Sequence, residues 1–151
     1  MGEGFMTILI SFAERFADLI SESGLTQKQI AEATRLTETS VSNYISGKSE
    51  PSLKALVSIA DYFQCSTDYL TGKKEVSEEK IFKSCPPFST RLVYLMKQKP
   101  CSGYKLCKDA KIPQGSFYDW KNGKTEPNLF NIDRLLKYFD CSMDYLLGRE
   151  N

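Results

Sequence analysis

The chain has 151 residues, enough for one ordinary domain or two very small ones. Apolar residues make up 41% and charged residues 26%, the balance of a soluble globular protein, which excludes disordered, collagen-like and coiled-coil classes. With 20 basic against 19 acidic side chains the net charge is +1, so a uniformly basic nucleic-acid coat is excluded while a local basic face is not.

The sequence contains no His. That removes His-based acid/base catalysis, Ser-His and Cys-His nucleophile pairs, and every zinc site that uses imidazole. The five cysteines (Cys65, Cys85, Cys101, Cys107, Cys141) form no CxxC and are odd in number. Reduced thiols therefore fit better than a disulfide framework or a four-cysteine zinc site. No Gly-rich phosphate loop and no carboxylate pair in a recognisable motif is present. The expectation is a protein with no catalytic residue, no cofactor and no metal. The apolar run Ile8–Ile10, with Met6 before it, is too short for a signal-peptide core or a membrane span, which points to a cytoplasmic protein without a membrane partner.

Shifting the chain by 76 residues aligns 12–72 on 88–148 without a gap, with 17 of 61 positions identical. These include Phe12/Phe88, Arg15/Arg91, Ser40/Ser116, Gly47/Gly123, Lys48/Lys124, Glu50/Glu126 and Pro51/Pro127. Such a match is the mark of a duplicated module. It divides the chain into an N-terminal extension (1–11), a first domain (12–72), a linker (73–87), a second domain (88–148) and a tail (149–151).

In chain order, Ser11 and Glu14 have capping-box spacing, and Phe12, Phe16, Leu19 and Ile20 form the apolar stripe of a first helix ended by Gly24. A second helix starts at Thr26, box-spaced with Gln29, and turns Ile30 and Ala31 inward. A turn at Leu36 leads to a third helix, about 38–46, with Val41, Tyr44 and Ile45 inward and Gly47 as its stop. Pro51 precedes a fourth helix carrying Leu53, Leu56, Ile59 and Phe63, and a short fifth is built on Tyr69-Leu70. Cys65 and Cys141 read as structural thiols. The linker reads as a solvated segment with one short capped helix from Ser77, ended by Pro86-Pro87, in which Ile81 and Phe82 dock against something. As a free coil it would span about 19–23 Å. The second domain repeats the pattern: Phe88, Leu92, Leu95 and Met96; Leu106 and Cys107; the turn at Ile112; a third helix, about 114–122, anchored by Phe117 and Trp120 and stopped by Gly123; Leu129, Ile132, Leu135 and Phe139 after Pro127; then Tyr145-Leu146. No segment alternates with period two. The fold expected is all-α, two tandem five-helix domains.

Two short helices joined by a tight turn make a helix-turn-helix. The segments L-T-Q-K-Q-I-A-E-A (25–33), V-S-N-Y-I-S-G-K-S-E-P-S-L (41–53) and D-Y-F-Q-C-S-T-D-Y-L-T-G (61–72) resemble the Cro-type, lambda-repressor-like (XRE) helix-turn-helix family, as do their copies at 115–129 and 138–148. The resemblance covers both repeats and implies a sequence-specific, double-stranded-DNA-binding transcriptional regulator, repressor-like in kind. It places base readers on the third helix at Glu38, Thr39, Ser42 and Asn43, and at Gln114, Tyr118 and Asp119. It places phosphate contacts at Gln27, Ser40, Ser46 and Lys48, and at Ser116, Lys121, Asn122 and Lys124. Short polar side chains on a helix in the major groove suit the donor and acceptor pattern of base edges, while hydroxyls, amides and ammonium groups fix register on phosphate.

Repeat two departs from this pattern at three places. Gly103 replaces Gln27, with Tyr104 or Lys105 as substitutes; Gly115 replaces Thr39; and Pro113 replaces Thr37, leaving its third helix without a side-chain cap. Glu38 and Asp119 face a polyanion, which suits them only opposite a cytosine amine. Residues 12–72 carry 5 basic and 8 acidic side chains, net −3; residues 88–148 carry 10 and 6, net +4. Phosphate neutralisation dominates DNA affinity, so repeat two reads as the stronger DNA module. Repeat one is a weaker half or a protein-binding module, as in antitoxin-like regulators. Association as a homodimer and an intrachain pseudo-dimer both remain open at this point.

Overall fold

The structure is a computed structural model that describes residues 3–151. The described residues form ten α-helices and no strand, and the chain divides into two compact units, Met1–Phe82 and Lys83–Asn151.

In the first unit α1 runs Glu3–Ser23, α2 Gln27–Thr34, α3 Glu38–Ser46, α4 Leu53–Phe63 and α5 Thr67–Leu70. Thr26 and Gln29 close the expected capping box on α2, and Ser52 and Ser66 cap α4 and α5 through their hydroxyls. The apolar stripe of α1 buries Phe12, Phe16 and Ile20, and the core of the unit also holds Ile30, Val41, Tyr44, Leu56 and Ile59. Phe12 stacks on Phe16 at 5.6 Å and meets Tyr44 edge-on at 6.0 Å. Each fully buried large side chain is worth about 1.5–3 kcal/mol of transfer free energy, enough to offset the weak propensity of such short helices.

In the second unit α6 runs Phe88–Gln98, α7 Gly103–Ala110, α8 Gln114–Lys121, α9 Leu129–Phe139 and α10 Met143–Leu147. Its core holds Phe88, Leu92, Leu95, Leu106, Phe117, Trp120, Ile132 and Leu135, the same positions except that Leu95 is buried where unit 1 buries Ile20, one residue further along the helix. Phe88 and Trp120 meet at right angles, 6.4 Å apart, where Phe12 and Tyr44 meet in the first unit. One arginine per unit ties the first helix to the last. Arg15 donates to the carbonyls of Tyr69 and Lys74 and lies over the Tyr69 ring; Arg91 donates to Tyr145 and Leu146 and lies over the Tyr145 ring. The glycines that end the units, Gly72 (φ +80°) and Gly148 (φ +83°), are held in the left-handed region, and a Cβ there would meet Ser11 or Arg91 and Pro86.

Three sequence-level boundaries move. The segment 1–11 is not an extension: α1 is continuous from Glu3, with Met1 and Gly2 outside the described residues. Ser11 is inside the helix and caps nothing, because Ile8, 5% exposed, carries the apolar stripe one turn further back and burial outweighs the local capping pattern. The linker is not a free coil and holds no helix at 77–80. Its first part lies on unit 1, where Lys74 accepts from Arg15 at 2.6 Å and the Ser77 hydroxyl accepts from the Ser66 amide at 3.0 Å. Phe82 is buried as expected, but Ile81 is 92% exposed. The final residues are not a tail: Arg149 is 1% exposed and pairs at 2.6 Å with Asp144, itself fully buried, while its carbonyl accepts from the Lys83 amide.

Candidate nucleic-acid interface

The third helix of each unit is held at both ends by local chemistry. At the start of α3 the Thr37 hydroxyl accepts from the Ser40 amide at 3.0 Å and donates to the Ser40 hydroxyl at 2.8 Å. The hydrogen of Ser40's own hydroxyl is therefore left to donate elsewhere. At the end, Gly47 (φ +77°) sends its amide to Tyr44 and the Lys48 amide bonds Asn43 at 2.9 Å, a Schellman closure. In unit 2 Gly123 (φ +74°) bonds Trp120 and the Lys124 amide bonds Asp119 at 2.8 Å. Lys48 and Lys124 thus leave the helix at the same point by the same turn. The start of α8 differs, as expected: Pro113 provides no side-chain cap.

Of the residues expected to meet DNA, Gln27, Glu38, Thr39, Ser42, Ser46 and Lys48 are exposed in unit 1, and Gln114, Tyr118, Lys121, Asn122 and Lys124 in unit 2. Ser40, Asn43, Ser116 and Asp119 are half-buried, closer to the core than a strictly outward face requires. Ser46 donates its hydroxyl to the Asn43 carbonyl at 3.2 Å, so a phosphate there must compete with that bond. Tyr118, 49% exposed, rests edge-on against Phe117 at 5.2 Å, which orients a large amphipathic side chain where unit 1 has Ser42. Burial pushes the Glu50 carboxyl, in the G-K-x-E-P block, above its ordinary pKa.

From the sequence, Gly103 removes the side chain of Gln27 and leaves Tyr104 or Lys105 as substitutes. The geometry gives it a cause. A Cβ on Gly103 would lie 2.6 Å from Cε2 of Phe117, the residue that replaces Val41. The bulkier core anchor of unit 2 fills the volume that a side chain at 103 would need. The neighbouring positions supply the exposed polar groups instead: Tyr104 is 65% exposed, and Lys105 pairs with Asp109 at 3.2 Å. Lys28, exposed beside Gln27 in the first turn of α2, is a cation that sequence reasoning passed over; its adjacency to Gln27 was the available signal. Gly115 has open space around it, so its missing side chain leaves a gap on the exposed face of α8.

Among the described residues no helix is long and apolar enough to cross a membrane, and no group of three or more His, Cys, Asp or Glu is placed to hold a metal ion. A family model described as helix-turn-helix matches residues 18–70, and one described as a Cro/C1-type HTH DNA-binding domain matches residues 91–151; together they cover well over half of the chain. The HTH-type transcriptional regulator ImmR of Bacillus subtilis (strain 168) is 33% identical over 70 residues, a stretch equal to 46% of this chain and 55% of that regulator, so the chain spans about half the length of the relative. No solved structure matches the chain. With a match over each unit, the chain belongs to the Cro/C1-type helix-turn-helix family and carries two such domains in tandem.

Proposed function

We propose that this protein is a cytoplasmic, sequence-specific double-stranded-DNA-binding transcriptional regulator in which unit 2 anchors the chain and both third helices read bases. The observation that carries the reading is the duplicated frame: α3 and α8 end in the same Schellman turn with a lysine at its exit, yet present different exposed faces. Glu38, Thr39 and Ser42 suit one half-site, and Gln114 and Tyr118 another. Dimeric helix-turn-helix proteins bind palindromes because their two reading heads are identical. Two unlike heads in one chain suit an asymmetric pair of half-sites. No catalytic step, cofactor or metal enters this reading.

Genomic selection with the purified chain, followed by footprinting and mass determination of the complex, tests it. The expected result is one chain over two unlike half-sites. A perfect palindrome bound by two chains, each through one unit, would overturn it. The net −3 of residues 12–72 favours a second reading in which unit 1 meets protein instead of DNA. Asn43→Ala then leaves DNA affinity unchanged, whereas Gln114→Ala still costs about 1–3 kcal/mol on the selected site and little on random DNA.

A further inference from the structure

Away from the reading helices, the C-terminal end of α7 and the second half of α9 enclose an open groove of about 600 Å³, lined by Lys99, Asp109, Lys111, Arg134, Lys137 and Tyr138 among others. Four cations face one carboxylate. Asp109 is already paired with Lys105, and Lys137 with Asp133 at 3.1 Å. Among the described residues the other three cations carry no ion pair, but two are fixed in place by helix ends. Arg134 donates to the Lys111 carbonyl at the end of α7 and stacks on Phe130. Lys99 donates to the Tyr138 carbonyl at 2.6 Å near the end of α9 and sits 4.1 Å from the centre of the Tyr138 ring. Helix C-termini stabilise cations there, and the result is a fixed cluster of like charge that leaves the guanidinium and ammonium groups with unused donors.

The matching groove of unit 1 does not have this character. It is lined by Thr34, Arg35, Ser58 and Asp61 at the positions of Ala110, Lys111, Arg134 and Lys137, and its charge is nearly balanced. Unit 1 instead differs on its first helix. Glu14, Asp18 and Glu22 follow one another at one-turn spacing along α1, all exposed, and none makes an ion pair among the described residues. At the same positions α6 carries Thr90, Tyr94 and Gln98. The acidic row is about 12 Å long at 1.5 Å per residue.

We propose that the basic groove of unit 2 is a docking site for the acidic face of α1 on a second copy of this chain. Both faces are solvent-exposed in the single chain, and each is present on only one unit. The contact is therefore heterologous, joining unit 1 of one molecule to unit 2 of another. The inference does not depend on DNA recognition, and its test contains no DNA.

Sedimentation of the full chain at low and high salt supplies the first readout. Association is expected at low ionic strength and is expected to weaken at least tenfold near 1 M salt, where the screening length falls to about 3 Å. Two charge-reversed variants supply the second. K111E/K137E makes both faces acidic, and E14K/D18K/E22K makes both basic; each alone should sediment as a folded monomer, with a melting temperature within a few degrees of the wild type because loss of the exposed Lys137–Asp133 pair costs little. An equimolar mixture restores both attractive pairings and should associate again. A monomeric wild-type chain at low salt, association of either variant by itself, or a mixture that stays monomeric would overturn the proposal. Since all these substitutions lie at solvent-exposed positions outside the residues assigned to DNA, loss of DNA binding and loss of this contact remain separate outcomes.

Discussion

The two units share a backbone plan and differ in what they do with charge and volume. Both hold their last helix with an arginine from the first, and both end the third helix with a glycine followed by a lysine. The non-glycine residues forced into left-handed geometry occur as matched pairs, Arg35 with Lys111 and Gln64 with Asp140. Where the units part, the change is concerted: a valine becomes a phenylalanine and a neighbouring glutamine becomes a glycine; an exposed lysine becomes a buried arginine. A module can therefore keep its frame while exchanging the residues that meet a partner, provided that each core change is answered by an adjacent one.

The largest expected difference between the units lies at their closing turns. Lys73 and Arg149 occupy the same repeat position, but Lys73 is exposed while Arg149 is buried against Asp144. Removing one partner of a buried pair leaves an uncompensated charge and costs about 3–5 kcal/mol. Arg149→Met should lower stability by that amount in chemical denaturation of the full chain. Lys73→Met should cost less than Arg149→Met, because the exposed Lys73 side chain makes its interactions where solvent screens them. Equal effects would erase the distinction.

Next in size is the exchange around the second helix. Gly103→Gln should destabilise unit 2 by about 1–3 kcal/mol, the usual penalty of overpacking, because of its 2.6 Å approach to Phe117. Phe117→Val in the same chain should recover much of that loss, giving a coupling energy of the kind double-mutant cycles resolve. Gln27→Gly in unit 1 should cost only about 1 kcal/mol, the propensity difference of a glycine in a helix. Strict additivity at 103 and 117 would show that the glycine has another cause.

The smallest effect is electrostatic. Lys124→Ala should weaken binding to all DNA sequences alike and make the salt dependence shallower by about 0.9, the contribution of one phosphate. Lys48→Ala should change the slope by less if the acidic unit 1 contributes less to affinity. A larger change for Lys48→Ala would reverse the assignment of the anchoring unit.

The helical pattern was legible because apolar spacing, caps and glycine stops all reported the same elements twice over. Boundaries were less legible where burial overrode local grammar. Ser11 and Glu14 satisfy a capping rule, but Ile8 has a core position to fill one turn earlier, so α1 runs through them. Arg149 lies beyond the repeat in sequence and reads as a solvated end; only its contact with Asp144 reveals a core residue. The exposed candidates for DNA were legible as a face of a helix, since their spacing fixes their side. The half-burial of Asn43 and Asp119 was not, because it depends on how far the core anchors beside them lift the helix.

The pairing of Gly103 with Phe117 also constrains the route by which the two modules diverged. From a precursor with a side chain at 103 and a valine at 117, an early phenylalanine meets an occupied volume and is rejected, whereas an early glycine costs little and opens the space. The permissive substitution has to come first. Once the ring is in place the return path is shut as well, since restoring a side chain at 103 now requires the phenylalanine to leave beforehand. A contact a few ångströms wide thus makes the order of the two exchanges matter.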